Sequence, residues 1–323
     1  MKNRNVHNRL LKKSVFFVLI FLLNCCAIAQ SRTYSKEVTF GTSNDFFVWF
    51  SNTDRFYTYG IHTDFRFING PQNVVSRILK SRASFTKIGL NVQAYTPDHH
   101  QTEAMYQNRP YAGWSYLEIT VNSLFKQSSL AMGFDIGILG PHSFAGDIQN
   151  WFHREFTGDP ELTGWENQLG DFFGINLKID YFKPIWRVKW LDASLELRNS
   201  IGTIFMFSEP GLTFRLGKFN PSHRSSDTGN RLLSQNSDTE LFLGLGDFTK
   251  LSGYNATLQG NIFKGDSLFR QDEINNLILN ARATMILAFH SFTMAVRYHW
   301  SDGEFNNGDE HQYMTISTAY QFD

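Results

Sequence analysis

The sequence predicts an all-β fold, an antiparallel transmembrane barrel of about twelve strands with a short helix in an extracellular loop. Three features carry this: strict two-residue alternation repeated along the chain, strands of bilayer-spanning length, and an export segment at the N-terminus. In Leu130–Leu139 the residues Leu130, Met132, Phe134, Ile136 and Ile138 share one face, and Ala131, Gly133, Asp135 and Gly137 share the other. That is the period of a pleated strand. It recurs as Ile88, Leu90, Val92 and Ala94 against Lys87, Gly89, Asn91 and Gln93, and as Phe173, Ile175, Leu177 and Ile179 against Gly174, Asn176, Lys178 and Asp180. Leu191, Ala193, Leu195 and Leu197 oppose Asp192, Ser194, Glu196 and Arg198 in the same way.

One face is apolar each time, and the other mixes charge with Gly and Asn. A dry sandwich core would penalise those polar groups, whereas a hydrated or self-paired lumen accepts them. Strands of about ten residues match a tilted bilayer span. Closure follows because an open edge in lipid leaves backbone groups unpaired. Taken in order, the expected strands are 36–50, 57–69, 85–96, 112–126, 129–140, 172–187, 191–205, 208–219, 238–249, 276–289, 290–301 and 311–322, with 253–264 a candidate for one more. Asn220–Thr239 and Ser301–His311 read as polar loops.

The 323 residues hold no linker or composition shift that would divide them, so one barrel domain is expected over 30–323. Thirty basic residues balance thirty acidic ones, which argues against nucleic acid as a partner. The 15% aromatic content suits girdles of Tyr, Trp and Phe at two membrane interfaces. Arg4, Arg9, Lys12 and Lys13 precede the apolar run Val15–Leu23 and then Ala27-Ile28-Ala29, the pattern of a signal peptide over 1–29. The apolar run is about half the length of a membrane anchor. Both cysteines, Cys25 and Cys26, would leave with that segment; a lipoprotein signal retaining one is disfavoured by Asn24 before Cys25. At the C-terminus Met314, Ile316, Thr318, Tyr320 and Phe322 alternate toward a terminal aromatic, with Asp323 after it.

The alternation stops between about 139 and 172. Gly140-Pro141, Ser143 as a possible cap, and Asp147–Phe156 give a helix of two to three turns. Gln149 and His153, four residues apart, share one of its faces, and Phe152 and Phe156 share a neighbouring one. The apolar side is expected to pack on the barrel wall and the polar side to face a cleft, with Trp151, Phe152 and Phe156 as packing residues. By pattern alone His153 reads more readily as a hydrogen-bonded structural histidine than as a catalyst.

Ser43-Asn44-Asp45 interrupts the apolar run Val38–Phe50. If Val38, Phe40 and Thr42 face lipid, Asn44 does so too, unless the strand bulges or the pair lies above the hydrocarbon. Asn and Asp supply the oxygen ligands Ca²⁺ prefers, although turn chemistry is their commoner use. Asn52–Asp54 reads as a turn, and Asp54-Arg55 as a surface pair. Arg109, beside a strand start, could hold a phosphate or carboxylate or pair with a lumen carboxylate.

The ordered set Ser43–Phe47, Thr53–Gly60, Tyr95-Thr96-Pro97, Arg109–Trp114, Gly140-Pro141, Gln149–His153, Gly164–Leu169 and Tyr254–Phe263 resembles the lipid A 3-O-deacylase family of outer-membrane barrels, from about residue 36 to the C-terminus. The resemblance implies a barrel with its site near the outer leaflet, between the wall and a loop helix. It implies calcium-dependent hydrolysis of the 3′-linked acyloxyacyl ester of lipid A in lipopolysaccharide. By the family pattern Asn44 and Asp45 match its conserved pair and His153 its helix histidine, with Gln149 one turn before; Thr58 matches a further polar residue less closely. The family's acidic residue after the histidine has two candidates, Asp159 and Glu161. In this scheme Asn44, Asp45 and Asp159 would hold Ca²⁺, His153 would activate water, and Arg109 would hold the anionic substrate. Ser43, beside the pair, is an alternative nucleophile. A phospholipase of other acyl specificity, or a porin-like or adhesive barrel without activity, are the competing readings. No reading requires an oligomer.

Overall fold

Twelve antiparallel strands close into a barrel, each bonded to its neighbours in sequence, with the first joined to the last. The computed structural model describes residues 34–48, 55–98, 108–234, 239–263, 273–306 and 308–323. Residues 1–29, expected as a signal peptide, and the turn expected at Asn52–Asp54 lie outside them. The strands are β1 Lys36–Asn44, β2 Phe56–Ile68, β3 Ala83–Thr96, β4 Ala112–Leu124, β5 Ser129–Leu139, β6 Phe172–Arg187, β7 Leu191–Gly202, β8 Phe205–Lys218, β9 Glu240–Asn255, β10 Leu277–Phe289, β11 Phe292–Ser301 and β12 His311–Phe322. Short helices are α1 Val74–Leu79, α2 Ala145–Phe152 and α3 Ala256–Gln259. The seam sets Lys36 opposite Phe322 and Asn44 opposite Met314, so no edge of the sheet meets lipid.

Two expected strands change. β1 stops at Asn44 rather than 50, because the Asn44 side chain accepts a hydrogen bond from the Phe46 amide and starts a 3-10 turn over Asp45–Phe47. Residues 253–264 are not a separate strand. β9 runs on to Asn255, whose side chain accepts from the Thr257 amide to cap α3, and Gly260 at φ 74° ends it.

The alternation has the expected sense. Val38, Phe40, Ile88, Leu90, Phe134, Phe173, Leu243 and Leu245 are exposed on the outside. Charges point inward and pair. Glu118 receives Lys87 at 2.6 Å and Lys178 at 3.1 Å, Glu196 receives Arg282 at 2.8 Å, and Glu209 receives Arg198 at 3.1 Å. Pairing is what makes such a lumen tolerable, since an isolated buried charge is costly.

The end bearing the chain termini and the short turns 125–128, 188–190 and 290–291 is the periplasmic one by the usual asymmetry of outer-membrane barrels. There the β8–β9 connection folds back into the lumen. Its first part is moored on the buried Glu240 carboxylate, which accepts from the Asn220 and Ser226 amides and the Ser225 and Ser226 hydroxyls. Asp227 approaches Arg297 at 3.6 Å, and Gly229 accepts from Arg66 of β2. Asn230 donates to Ser129 of β5, while Arg231 donates to the His290 carbonyl and to Thr293 of β11. Leu232 and Leu233 pack with Phe85 and Leu124. One loop thus spans the bore and touches strands around the whole circumference.

This plug implies that the folded barrel is silent in planar-bilayer recordings. Replacing residues 222–230 by a Gly/Ser segment of equal length, or Glu240→Ala, should produce resolvable conductance steps. A conducting native barrel, or a silent but folded loop-replaced one, would contradict the role given to the loop.

Candidate active site

At the opposite rim the register of β1 and β2 decides which groups meet. Asn44 lies across from Tyr59, and residues directly opposite in a sheet point to the same face. Tyr59 faces outward, where it packs with Ala94, Val92 and Ile61 of the wall and with Ala145 and Ile148 of α2. Its hydroxyl donates to the Ala145 carbonyl at 2.6 Å. Asn44 and the loop helix therefore share one end and one surface of the cylinder.

Asp45, the first residue of the 3-10 turn, is 0% exposed, and its Oδ2 accepts the Arg55 amide at 3.0 Å. The bulge considered for the first strand is instead in β2. Tyr57 pairs with Tyr95 and Tyr59 with Ala94, so Thr58 is the extra residue. Its hydroxyl meets that of Thr96 at 2.7 Å in a buried contact. Ser43 points the other way, into the lumen, with its Oγ 2.8 Å from that of Thr315, which separates it from the helix.

Close approach by the helix depends on small residues. Gly113 of β4 faces it, and a Cβ there would collide with Ser143 and Ala145. Next along the strand on that face, Ser115 donates to the Ser143 carbonyl at 2.6 Å. Phe144 enters α2 in the left-handed region at φ 58°, and the helix continues past Phe152 as a π turn, His153–Thr157, stopped by Gly158 at φ 77°. π turns are frequent at functional positions.

The helix is turned opposite to expectation. Gln149 and His153 are buried, at 3% and 5% exposure, on the same side as Ala145, while Trp151, Phe152 and Phe156 are exposed. The packing role expected for these rings on the wall is not realised. The reason is that small Ala145 and Gly146 make the near contact: Ala145 packs beneath Tyr59, and Gly146 abuts the Trp165 ring.

A returning segment fixes the polar pair from behind. The Trp165 indole donates to Gln149 Oε1 at 3.0 Å, so the Gln149 amide is oriented with its NH₂ toward its other side. His153 Nδ1 lies 2.9 Å from the Pro160 carbonyl. A carbonyl only accepts, so Nδ1 carries the proton, and in the neutral ring Nε2 is the basic nitrogen. Asn150 clamps the same segment, accepting from the Leu162 amide at 2.8 Å and donating to its carbonyl. Sequence patterns could not assign Trp165, Pro160, Tyr59 or Gly113 a role, because each acts through a partner distant in sequence or through a backbone atom.

Other expected residues lie elsewhere. Arg109 is 0% exposed, with its guanidinium on Glu304 Oε2 at 3.2 Å and Thr257 Oγ1 at 3.0 Å, stacked over the Tyr95 ring. Of the two readings of this arginine, that geometry matches a lumen ion pair and not a hand held out to an external anion. Burial pushes Glu304 up, and Arg109 and Lys250 more than offset it, holding the carboxyl below its ordinary range. Asp159 is exposed in the turn after the helix, and Glu161 is exposed and paired with Arg154 at 2.9 Å.

The family model described as "Outer membrane protein LpxR" matches residues 15–322. The chain belongs to the LpxR family. Comparison with curated proteins finds no match. Among solved structures, LpxR from Salmonella typhimurium is similar with a TM-score of 0.71 at 19% identity, covering 88% of this chain and 100% of that one. The beta domain of the Bordetella autotransporter BrkA reaches only 0.46 at 7% identity, over 90% and 100% of the two chains. The LpxR family and the closed twelve-strand barrel together place the protein in the outer membrane.

For a cation the rim offers oxygen: the Asp45 carboxylate, the Asn44 carboxamide, and the Thr58 and Thr96 hydroxyls nearby in register. Asn44 Oδ1 already accepts the Phe46 amide at 2.7 Å, yet an amide oxygen has a second lone pair. Among the described residues no three His, Cys, Asp or Glu side chains form a metal cluster. An oxygen-rich set with a single carboxylate fits a hard ion such as Ca²⁺ better than a zinc-type centre.

Trp165→Phe removes the indole N–H and exchanges the indole for a smaller phenyl ring. Leaving buried Gln149 Oε1 without that donor should cost about 1–2 kcal/mol locally, which raises the open population of the 140–171 loop by roughly tenfold. Limited proteolysis should nick that loop correspondingly faster, with the barrel core still resistant; unchanged nicking would remove Trp165 from its positioning role.

Proposed function

We propose that this protein is an outer-membrane carboxylic ester hydrolase of the lipid A 3-O-deacylase type, releasing the 3′-linked acyloxyacyl group of lipid A in a Ca²⁺-dependent reaction. The observation that carries the reading is the Asn44–Tyr59–Ala145 connection. It joins a carboxamide and carboxylate on the rim to a helix whose buried face carries an amide and an imidazole. Family membership supports the substrate class.

In the proposed reaction His153 Nε2 takes a proton from water as the water attacks the ester carbonyl. The resulting imidazolium returns that proton to the departing alkoxide, so no net charge is left on the enzyme. The Pro160 carbonyl serves this by holding the ring and its tautomer, and by stabilising the charged form through the Nδ1 hydrogen bond. The Gln149 amide, oriented by Trp165, would donate through its NH₂ to the developing oxyanion. When bound by Asn44 and Asp45, with Thr58 close by, Ca²⁺ supplies Lewis-acid polarisation of the carbonyl. Acid–base catalysis by water needs no serine, in keeping with Ser43 facing the lumen.

The decisive experiment is mass spectrometry of lipid A from a host expressing the chain. The expected result is loss of the 3′-acyloxyacyl mass, abolished by chelation and restored by Ca²⁺. His153→Ala should lower turnover by about 10²–10⁴-fold, the usual contribution of a general base, with the heat-modifiable mobility of the folded barrel intact. Asp45→Ala should mimic chelation. Unchanged lipid A in the presence of wild-type protein, with phospholipid hydrolysed in a parallel assay, would transfer the chain to the phospholipase class.

A further inference from the structure

The loop helix is amphipathic in the reverse of the usual sense. A surface helix normally hides its apolar stripe and shows its polar one. Here Gln149 and His153 are hidden, and Phe144, Trp151, Phe152 and Phe156 are displayed at 59%, 48%, 39% and 48% exposure. The displayed rings do not lean on the wall. They lean on one another, Trp151 edge-on to Phe156 at 5.2 Å and Phe152 stacked on Phe156 at 5.3 Å.

This ridge is continuous with a surface whose environment is known. β5 and β6 end, just before and after the loop, on Ile138 and Phe173, which face each other in register and are both exposed on the lipid side. Ile138 also pairs with Ser115, whose hydroxyl binds the start of the loop at Ser143. The aromatic face therefore begins where the lipid-facing wall stops. The charges on and beside the helix lie at exposed positions: Asp147, and Arg154 bridging Glu155 at 3.0 Å and Glu161 at 2.9 Å. Apolar rings with charged side chains along their margin are the composition of an element lying at the boundary of acyl chains and headgroups.

We infer that residues 144–156 lie at the boundary of acyl chains and headgroups in the outer leaflet, with the Phe144, Trp151, Phe152 and Phe156 rings in contact with lipid chains. The occupant of this face is lipid and not a protein partner. Where the hydrolytic reading also holds, and only there, the seating means that an acyl ester reaches the buried face of the helix sideways from the membrane. The seating itself is read without any activity measurement, so its failure and the failure of the esterase assignment are separable.

The test uses the full barrel in phosphatidylcholine vesicles whose acyl chains are either brominated or unbrominated. The Trp151 signal is isolated as the emission difference between wild type and Trp151→Phe. Phe156→Trp in the Trp151→Phe background gives a second reporter on the same ridge. We expect each difference signal to fall at least twofold in brominated vesicles and to be quenched less by aqueous iodide. Iodide quenching equal to or greater than bromolipid quenching at both positions would overturn the inference, whether water, a second copy or another protein covers the face.

Discussion

Backbone pairing in lipid is the constraint from which the rest follows. A strand in hydrocarbon needs both edges bonded, and β1 satisfies this with β2 on one side and β12 on the other. Once both registers are set, no side chain on β1 can choose its face. Ser43 must look into the lumen and Asn44 outward beside Tyr59. The strand can be released only where a side chain takes over the role of the ladder. Asn44 does so by accepting the Phe46 amide, and the same bond starts the turn in which Asp45 is buried.

Inside the cylinder a different economy holds. Lysine and arginine on one strand meet glutamate and aspartate on others, next to them or across the lumen, and the β8–β9 loop adds its own polar groups to the network. A bore filled this way is rigid and occupied by its own charges, which leaves the outer surface for chemistry. Arg109 shows the division clearly, because its commitment to Glu304 and Thr257 helps to tie the extracellular loops to the lumen side.

On the outside the helix inverts the usual burial rule. Hiding Gln149 and His153 is tolerable because Trp165, the Pro160 carbonyl and the wall supply partners, and showing four rings is tolerable where the surrounding medium is not water. Both halves of that arrangement require Gly113, since a larger side chain would hold the helix away from the wall.

Much of the barrel was legible in the sequence, because alternation with period two is a local property of the chain and reports directly on the two sides of a strand. Strand boundaries slipped where a side chain replaced a ladder bond, at Asn44 and at Asn255. Spacing alone put Gln149 and His153 on one helix face, and the order of motifs indicated the family. Which way that face turned was not legible. Four-residue spacing fixes a face relative to the helix axis but not the rotation of the helix about it. That rotation was decided by contacts with residues far away in sequence: Tyr59 on the Ala145 carbonyl, Gly113 under Ser143, and Trp165 on Gln149. The sequence by itself determined an exported, twelve-stranded cylinder with a helix at its rim, since periodicity and composition are local. Only the tertiary structure decided that the imidazole faces the wall and the aromatic rings face the membrane, because helix orientation is set by non-local packing.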